Sequence, residues 1–164
     1  MNIPLPINEK EEKIWDILET ITDPEIPVLT IMDLGIVRDV KIHADEIQVI
    51  ITPTYTGCPA MDMIAMNIRL GLAENGYKNI KITSVLSPAW TTDWMSAAGK
   101  EKLREYGIAP PVSASDRDGV IGKIQCPQCQ STDIKLISQF GSTACKALYQ
   151  CNDCKEPFDY FKCH

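Results

Sequence analysis

Two Cys-x2-Cys pairs constrain this chain more than anything else in it. Cys126-Pro127-Gln128-Cys129 and Cys151-Asn152-Asp153-Cys154 are separated by twenty-one residues. A two-residue spacing lets both sulfurs of a pair face one ion, and two such knuckles on adjacent hairpins complete a tetrahedron. The separation is one residue longer than the usual ribbon range. Strand-like stretches lie between and after the pairs, at Ile134–Ile137, Ala147–Gln150 and Phe158–Phe161. So short a segment cannot bury enough apolar surface to fold unaided, so a metal is expected to supply the stability. Zinc is favoured over a rubredoxin-like iron, because structural four-thiolate zinc is the commoner and no redox role is evident. Four ligands fill the shell, which makes the expected metal structural and not catalytic.

The remaining composition bounds the partners. Hydrophobic residues are 45% and charged residues 23% of the chain, an ordinary globular balance. There are 16 Lys+Arg against 22 Asp+Glu, a net charge of −6. Residues 121–164 carry five lysines and four acids, and a zinc tetrathiolate would add about −2. Neither nucleic acid nor an anionic membrane is therefore an expected partner. The start of the chain, with Pro4, Pro6 and then Glu9 to Glu12, does not read as a secretory leader. No apolar run approaches the roughly eighteen residues of a membrane span. Seven cysteines, an odd number with two C-x2-C pairs, suit metal ligation in a reducing cytosol better than a disulfide framework. The expected location is cytoplasmic.

The pattern along the chain is α+β: a small three-stranded mixed sheet with helices, followed by a C-terminal four-cysteine zinc ribbon. Asn8 with Glu11 is a capping-box pattern, and Ile14, Ile17, Leu18 and Ile21 follow at helical spacing, predicting a helix over 9–22. Asp23-Pro24-Glu25-Ile26-Pro27 stops it. Two β-like runs, Ile36–Ile42 and Glu46–Thr52, form a hairpin around His43, Ala44 and Asp45. After Cys58-Pro59 comes a second helix, with Met63, Met66, Asn67 and Leu70 beside Ile64 and Ala73 as its apolar face and Gly76 as its stop. Residues 78–86 read as a third strand, reached by a parallel crossover. Trp90–Trp94 reads as loop and 95–106 as a third helix. The proline-bearing stretch after Ala109 marks a linker. The expected organisation is a domain over 1–108, a linker over 109–120 and a ribbon over 121–164.

Cys58 is the lone cysteine of the first domain. It follows a strand, and Pro59 behind it is a natural first helical residue. Helix entrances in general favour thiolates, so Cys58 could meet iron or an iron–sulfur cluster, or attack a substrate. A packed, inert thiol is the competing reading. Cys145 and Cys163 are either extra ligands or packed thiols. His43 and His164 are weak ligand candidates, at a turn and at a terminus. Asp23, Glu25, Asp33 and Asp93 could ligate, but such acids more often cap turns. Trp90 and Trp94 suit either a docking surface or a core.

The longer motifs carry a resemblance. Asp23-Pro24-Glu25-Ile26-Pro27, Met32-Asp33-Leu34-Gly35-Ile36-Val37 and Thr52-Pro53-Thr54-Tyr55-Thr56-Gly57-Cys58-Pro59 resemble the iron–sulfur-assembly domain of cytosolic cluster-maturation factors. Adding Ser87-Pro88-Ala89-Trp90-Thr91-Thr92-Asp93-Trp94-Met95, Phe140–Tyr149 and Pro157–Phe161, the chain resembles over nearly its whole length the PaaD family of bacterial phenylacetyl-CoA epoxidase (oxygenase) systems. The resemblance implies a non-enzymatic accessory factor of aerobic phenylacetate degradation. Its partners would be the oxygenase subunits or their iron–sulfur reductase, and its cargo a transient iron or iron–sulfur cluster. It implies that Cys58 is the functional cysteine of the assembly domain, and it makes Cys145 a candidate auxiliary thiol. The alternatives are a structural component of the oxygenase complex and a thiol-dependent enzyme using Cys58.

Overall fold

The computed structural model describes residues 8–55, 57–113 and 123–162. Cys163, His164 and most of the expected linker lie outside the described residues. The chain forms two compact units, one of residues 1–90 with 94–96, the other of 91–93 with 97–164. No helix among the described residues is long and apolar enough to cross a membrane.

In the first unit, α1 (Glu9–Glu19) starts as the capping pattern predicts, with Asn8 Oδ1 accepting the Glu11 amide at 3.0 Å. Acids Glu9, Glu11 and Glu12 in its first turn suit the positive end of the helix dipole. The helix stops earlier than residue 22. Ile21 instead accepts the Ile31 amide through its carbonyl at 2.9 Å, and Thr22 bridges Thr30. The Asp23-Pro24 turn requires this, because a residue before proline is pushed out of helical geometry.

β1 (Val37–His43) and β2 (Glu46–Ile51) form the expected antiparallel hairpin, and β3 (Asn79–Ser84) lies parallel to β2, giving the order β1-β2-β3. Between β2 and β3 the chain passes through α2 (Ala60–Glu74). Ile47, Val49 and Ile51 of β2 are buried, as are Ile14 and Leu18 of α1. The buried face of α2 differs from the one expected. Ala60, Ile64, Ile68 and Leu72, spaced by four, are buried, whereas Met63, Met66 and Leu70 are about half exposed. Only Ile64 of the predicted face is buried.

A returning segment is laced onto the start of β1. Trp90 is buried and its indole N–H donates to the Leu34 carbonyl at 2.8 Å. Trp94 is half-buried beneath the Arg38 guanidinium, 3.9 Å from the ring centroid. Ser96 donates through its amide to the Asp33 carbonyl and through its hydroxyl to the Asp33 carboxylate, both at 2.9 Å. Residues Thr92–Trp94, expected as loop, make a short 3-10 turn.

The second unit contains α3 (Ala97–Tyr106) and a four-stranded sheet of β4 (Ile108–Ala109), β5 (Ile134–Ser138), β6 (Lys146–Cys151) and β7 (Pro157–Phe161), in the order β4-β7-β6-β5. Ile108 and Ala109 pair parallel to Asp159 and Tyr160, although the sequence pattern puts them at the edge of a linker. Ala109, Ile124, Ile134, Ala147, Tyr149, Phe158 and Tyr160 form the core together with Cys126 and Cys151. Tyr149 stacks on Phe158 at 6.0 Å and meets Tyr160 edge-on at 5.9 Å.

Candidate metal centre and the Cys58 loop

The four ribbon sulfurs converge. Those of Cys126, Cys129, Cys151 and Cys154 all lie within 4.8 Å of one another, with Cys126 3.7 Å from Cys154 and Cys129 3.5 Å from Cys151. A tetrahedron with zinc–sulfur bonds of about 2.3 Å has sulfur–sulfur edges of about 3.8 Å, so the donor set fits such an ion in type and spacing. The two knuckles share a backbone plan. The Cys126 amide donates to the Ser131 carbonyl at 2.9 Å and the Cys151 amide to the Glu156 carbonyl at 3.0 Å.

Backbone amides also serve the sulfurs. The Cys154 and Asp153 amides hold the Cys151 thiol down to about 7 against the effect of burial. The Glu156 amide lowers the Cys154 thiol, but burial and the sulfurs of Cys129, Cys126 and Cys151 together push it up to about 12. Thiols this close cannot all ionise against one another, and a divalent cation among them removes that penalty. The cluster is a metal-binding site.

Cys58 belongs to a different place. It is half-buried, its amide donates to the Tyr55 carbonyl at 3.2 Å, and its carbonyl accepts the Met61 amide at 3.2 Å. Pro59 stands one position earlier than expected, as the N-cap and not the first helical residue, with helical φ −67° and ψ −22° and no side-chain cap. Among the described residues, the ribbon cysteines are the only group of three or more His, Cys, Asp or Glu side chains close enough to hold an ion. Cys58 has no such set around it among those residues.

The other candidates separate clearly. Cys145 is buried, with its sulfur 3.0 Å from Thr143 Oγ1, and is not part of the four-sulfur group. Asp23 caps a turn, accepting the Glu25 and Ile26 amides at 2.8 Å. Asp33 and Thr30 cap each other reciprocally, at 3.1 and 3.0 Å. Asp93 is exposed and its amide donates to Thr91 Oγ1 at 3.0 Å; His43 is exposed at the end of β1. Trp90 is core. The sequence pattern misses Lys146, which is 6% exposed and pairs with Asp159 at 3.8 Å. These residues are thirteen apart, and only the β6–β7 register brings them together.

Two family descriptions match the chain, "PaaD zinc beta ribbon domain" over residues 110–162 and "Iron-sulfur cluster assembly protein" over residues 11–74. An Escherichia coli (strain K12) protein named as a component of 1,2-phenylacetyl-CoA epoxidase is 51% identical over 151 residues, covering 92% of each chain. An "Fe-S protein maturation auxiliary factor" of Porphyromonas gingivalis is 38% identical over 61% of this chain and 93% of its own. The first unit resembles the crystal structure of a domain of unknown function, DUF59, from Bacillus anthracis, with a TM-score of 0.53 and 29% identity over 56% of this chain and 89% of that one. With matches at both ends and along nearly its whole length, the chain belongs to the PaaD family of 1,2-phenylacetyl-CoA epoxidase components.

Proposed function

We propose that this protein is a non-catalytic cytoplasmic factor that matures a metallocentre of phenylacetyl-CoA epoxidase, in the di-iron oxygenase or in its iron–sulfur reductase. In this reading the ribbon cysteines hold one structural zinc, and Cys58 receives iron or an iron–sulfur cluster in transit. The observation that carries it is the contrast between the two sulfur stations. The ribbon offers four thiolates, which saturate a tetrahedral ion. Cys58 offers a single sulfur, half-open at the entrance of α2 and without a chelating set of its own among the described residues. A lone ligand holds a metal weakly and leaves its other positions to a donor or recipient, as cargo requires. The name of the Porphyromonas relative supports the same direction. Cys145, buried beside Thr143, is assigned a packing role.

The test is metal and sulfide analysis of anaerobically purified protein, wild type beside Cys58→Ala, with maturation of the epoxidase as the second readout. One zinc per chain in both, with additional iron and maturation only in the wild type, is expected. Wild-type levels of epoxidase maturation by Cys58→Ala would remove the thiol from the account and favour a purely structural role in the oxygenase complex.

A further inference from the structure

The outer strand of the second sheet and the loop after it expose large apolar side chains in quick succession. Leu136 is 45%, Ile137 51% and Phe140 64% exposed. β5 has β6 as its one neighbour in the sheet. Scattered apolar side chains on a surface are ordinary, but a cluster along one edge marks a surface made for contact.

Phe140 is held in place. Its amide donates to Ser138 Oγ at 3.2 Å, and the Lys162 ammonium stands 4.5 Å from its ring centroid while donating to the Gln139 carbonyl at 3.0 Å. The next residue is pinned more tightly. The Gly141 amide donates to the Lys146 carbonyl at 2.7 Å, and a Cβ at Gly141 would meet Asp159 Oδ1 at 2.4 Å. Asp159 pairs with the buried Lys146 and accepts the Ser142 hydroxyl at 3.4 Å. A desolvated ion pair is weak evidence for stability. Here it braces the loop that displays an aromatic ring to solvent. The entropy of ordering is already spent in the free protein, which is the property of a binding anchor.

Charge selects the occupant. Residues 134–150 contain Lys135 and Lys146 and no Asp or Glu, in a chain whose net charge is −6, and Lys162 flanks the ring. We infer that Phe140, with Leu136 and Ile137, docks the ribbon onto a folded protein, filling an apolar pocket rimmed by carboxylates on a component of phenylacetyl-CoA epoxidase. The inference rests on the functional reading above, to which it adds the contact surface. A second copy of this chain would set like-charged lysines against each other. An anionic vesicle would be repelled by the net charge.

The experiment measures binding of the full chain to the purified oxygenase and reductase components of the epoxidase. The variants are Phe140→Ala, Phe140→Glu and, as a control, Tyr106→Ala on α3, which is 54% exposed. Phe140→Ala is expected to weaken binding at least about tenfold and Phe140→Glu about a hundredfold, with Tyr106→Ala unchanged. Zinc content and circular dichroism should match wild type in all three. Binding by wild type that Phe140→Glu leaves within twofold overturns the surface alone. Failure of wild type to bind any of these components overturns the functional reading and this contact with it. Loss of binding to anionic vesicles, or of self-association, upon Phe140→Glu would overturn the choice of partner.

Discussion

Gln130 and Lys155 occupy the same station in the two knuckles: each follows the second cysteine of its pair, and each has a left-handed backbone, with φ 63° and 67°. Two loops of unlike sequence, Pro127-Gln128 and Asn152-Asp153, thus end in one geometry. Residues with a Cβ occupy that region only when the surroundings impose it. Here convergence of the sulfurs imposes it, since the same reversal sends each chain back to the cysteine amide's acceptor at Ser131 or Glu156.

Replacing either residue by valine should therefore be costly. β-branching is poorly tolerated at positive φ, and a loss of about 1–2 kcal/mol is expected for Gln130→Val and for Lys155→Val. Glycine at the same sites should be neutral or stabilising. Thermal denaturation of the zinc-loaded protein reads both, and a valine variant as stable as wild type would contradict the strain.

Metal removal should unfold the second unit. Its core includes Cys126 and Cys151 themselves, so loss of the ion opens the centre of the sheet. Cys151→Ser, or a chelator strong enough to strip zinc, is expected to abolish the metal and the β4–β7 signal in circular dichroism or amide exchange, while α1 and α2 keep theirs. Protons compete for the thiolates, so zinc retention should fall as pH falls. A metal-free chain with intact ribbon protection would refute this.

The sequence discloses what is local. The Asn8–Glu11 cap, the hairpin at Ala44 and the C-x2-C knuckles each depend on residues a few positions apart, and each is legible before any coordinates. Long-range pairing is not. Nothing near Ile108 announces a partner at Asp159, and the Lys146–Asp159 brace depends on register across β6 and β7. The ambiguous tryptophans divide for the same reason: Trp90 is core because Leu34, fifty-six residues earlier, supplies its acceptor.

Gly35 is a second place where a long-range approach fixes a residue type. Its φ is 68°, and a Cβ there would lie 2.4 Å from the Trp94 carbonyl oxygen, a backbone atom that cannot swing away. Gly35→Ala combines left-handed strain with a steric clash and should cost about 2–4 kcal/mol. The expected signature is a lowered Tm with loosened Trp90 and Trp94 fluorescence. An unchanged spectrum and Tm would mean that the returning segment is not held as tightly as its hydrogen bonds at Leu34 and Asp33 imply.

The misread face of α2 gives the last test. Two apolar stripes run along this helix, Ala60-Ile64-Ile68-Leu72 and Met63-Met66-Leu70, and periodicity alone cannot rank them because both recur at helical spacing. Packing ranks them: Ile68 is fully buried, whereas Met66 is 51% exposed. β-branched Ile64 and Ile68 have stiff side chains suited to a fixed core, whereas methionine tolerates an open surface. Ile68→Ala should leave a cavity and cost about 2–5 kcal/mol, while Met66→Ala should stay within about 0.5 kcal/mol of wild type. Chemical denaturation of the two variants side by side decides it. Equal losses would place both stripes inside the fold and would withdraw the outward face of α2.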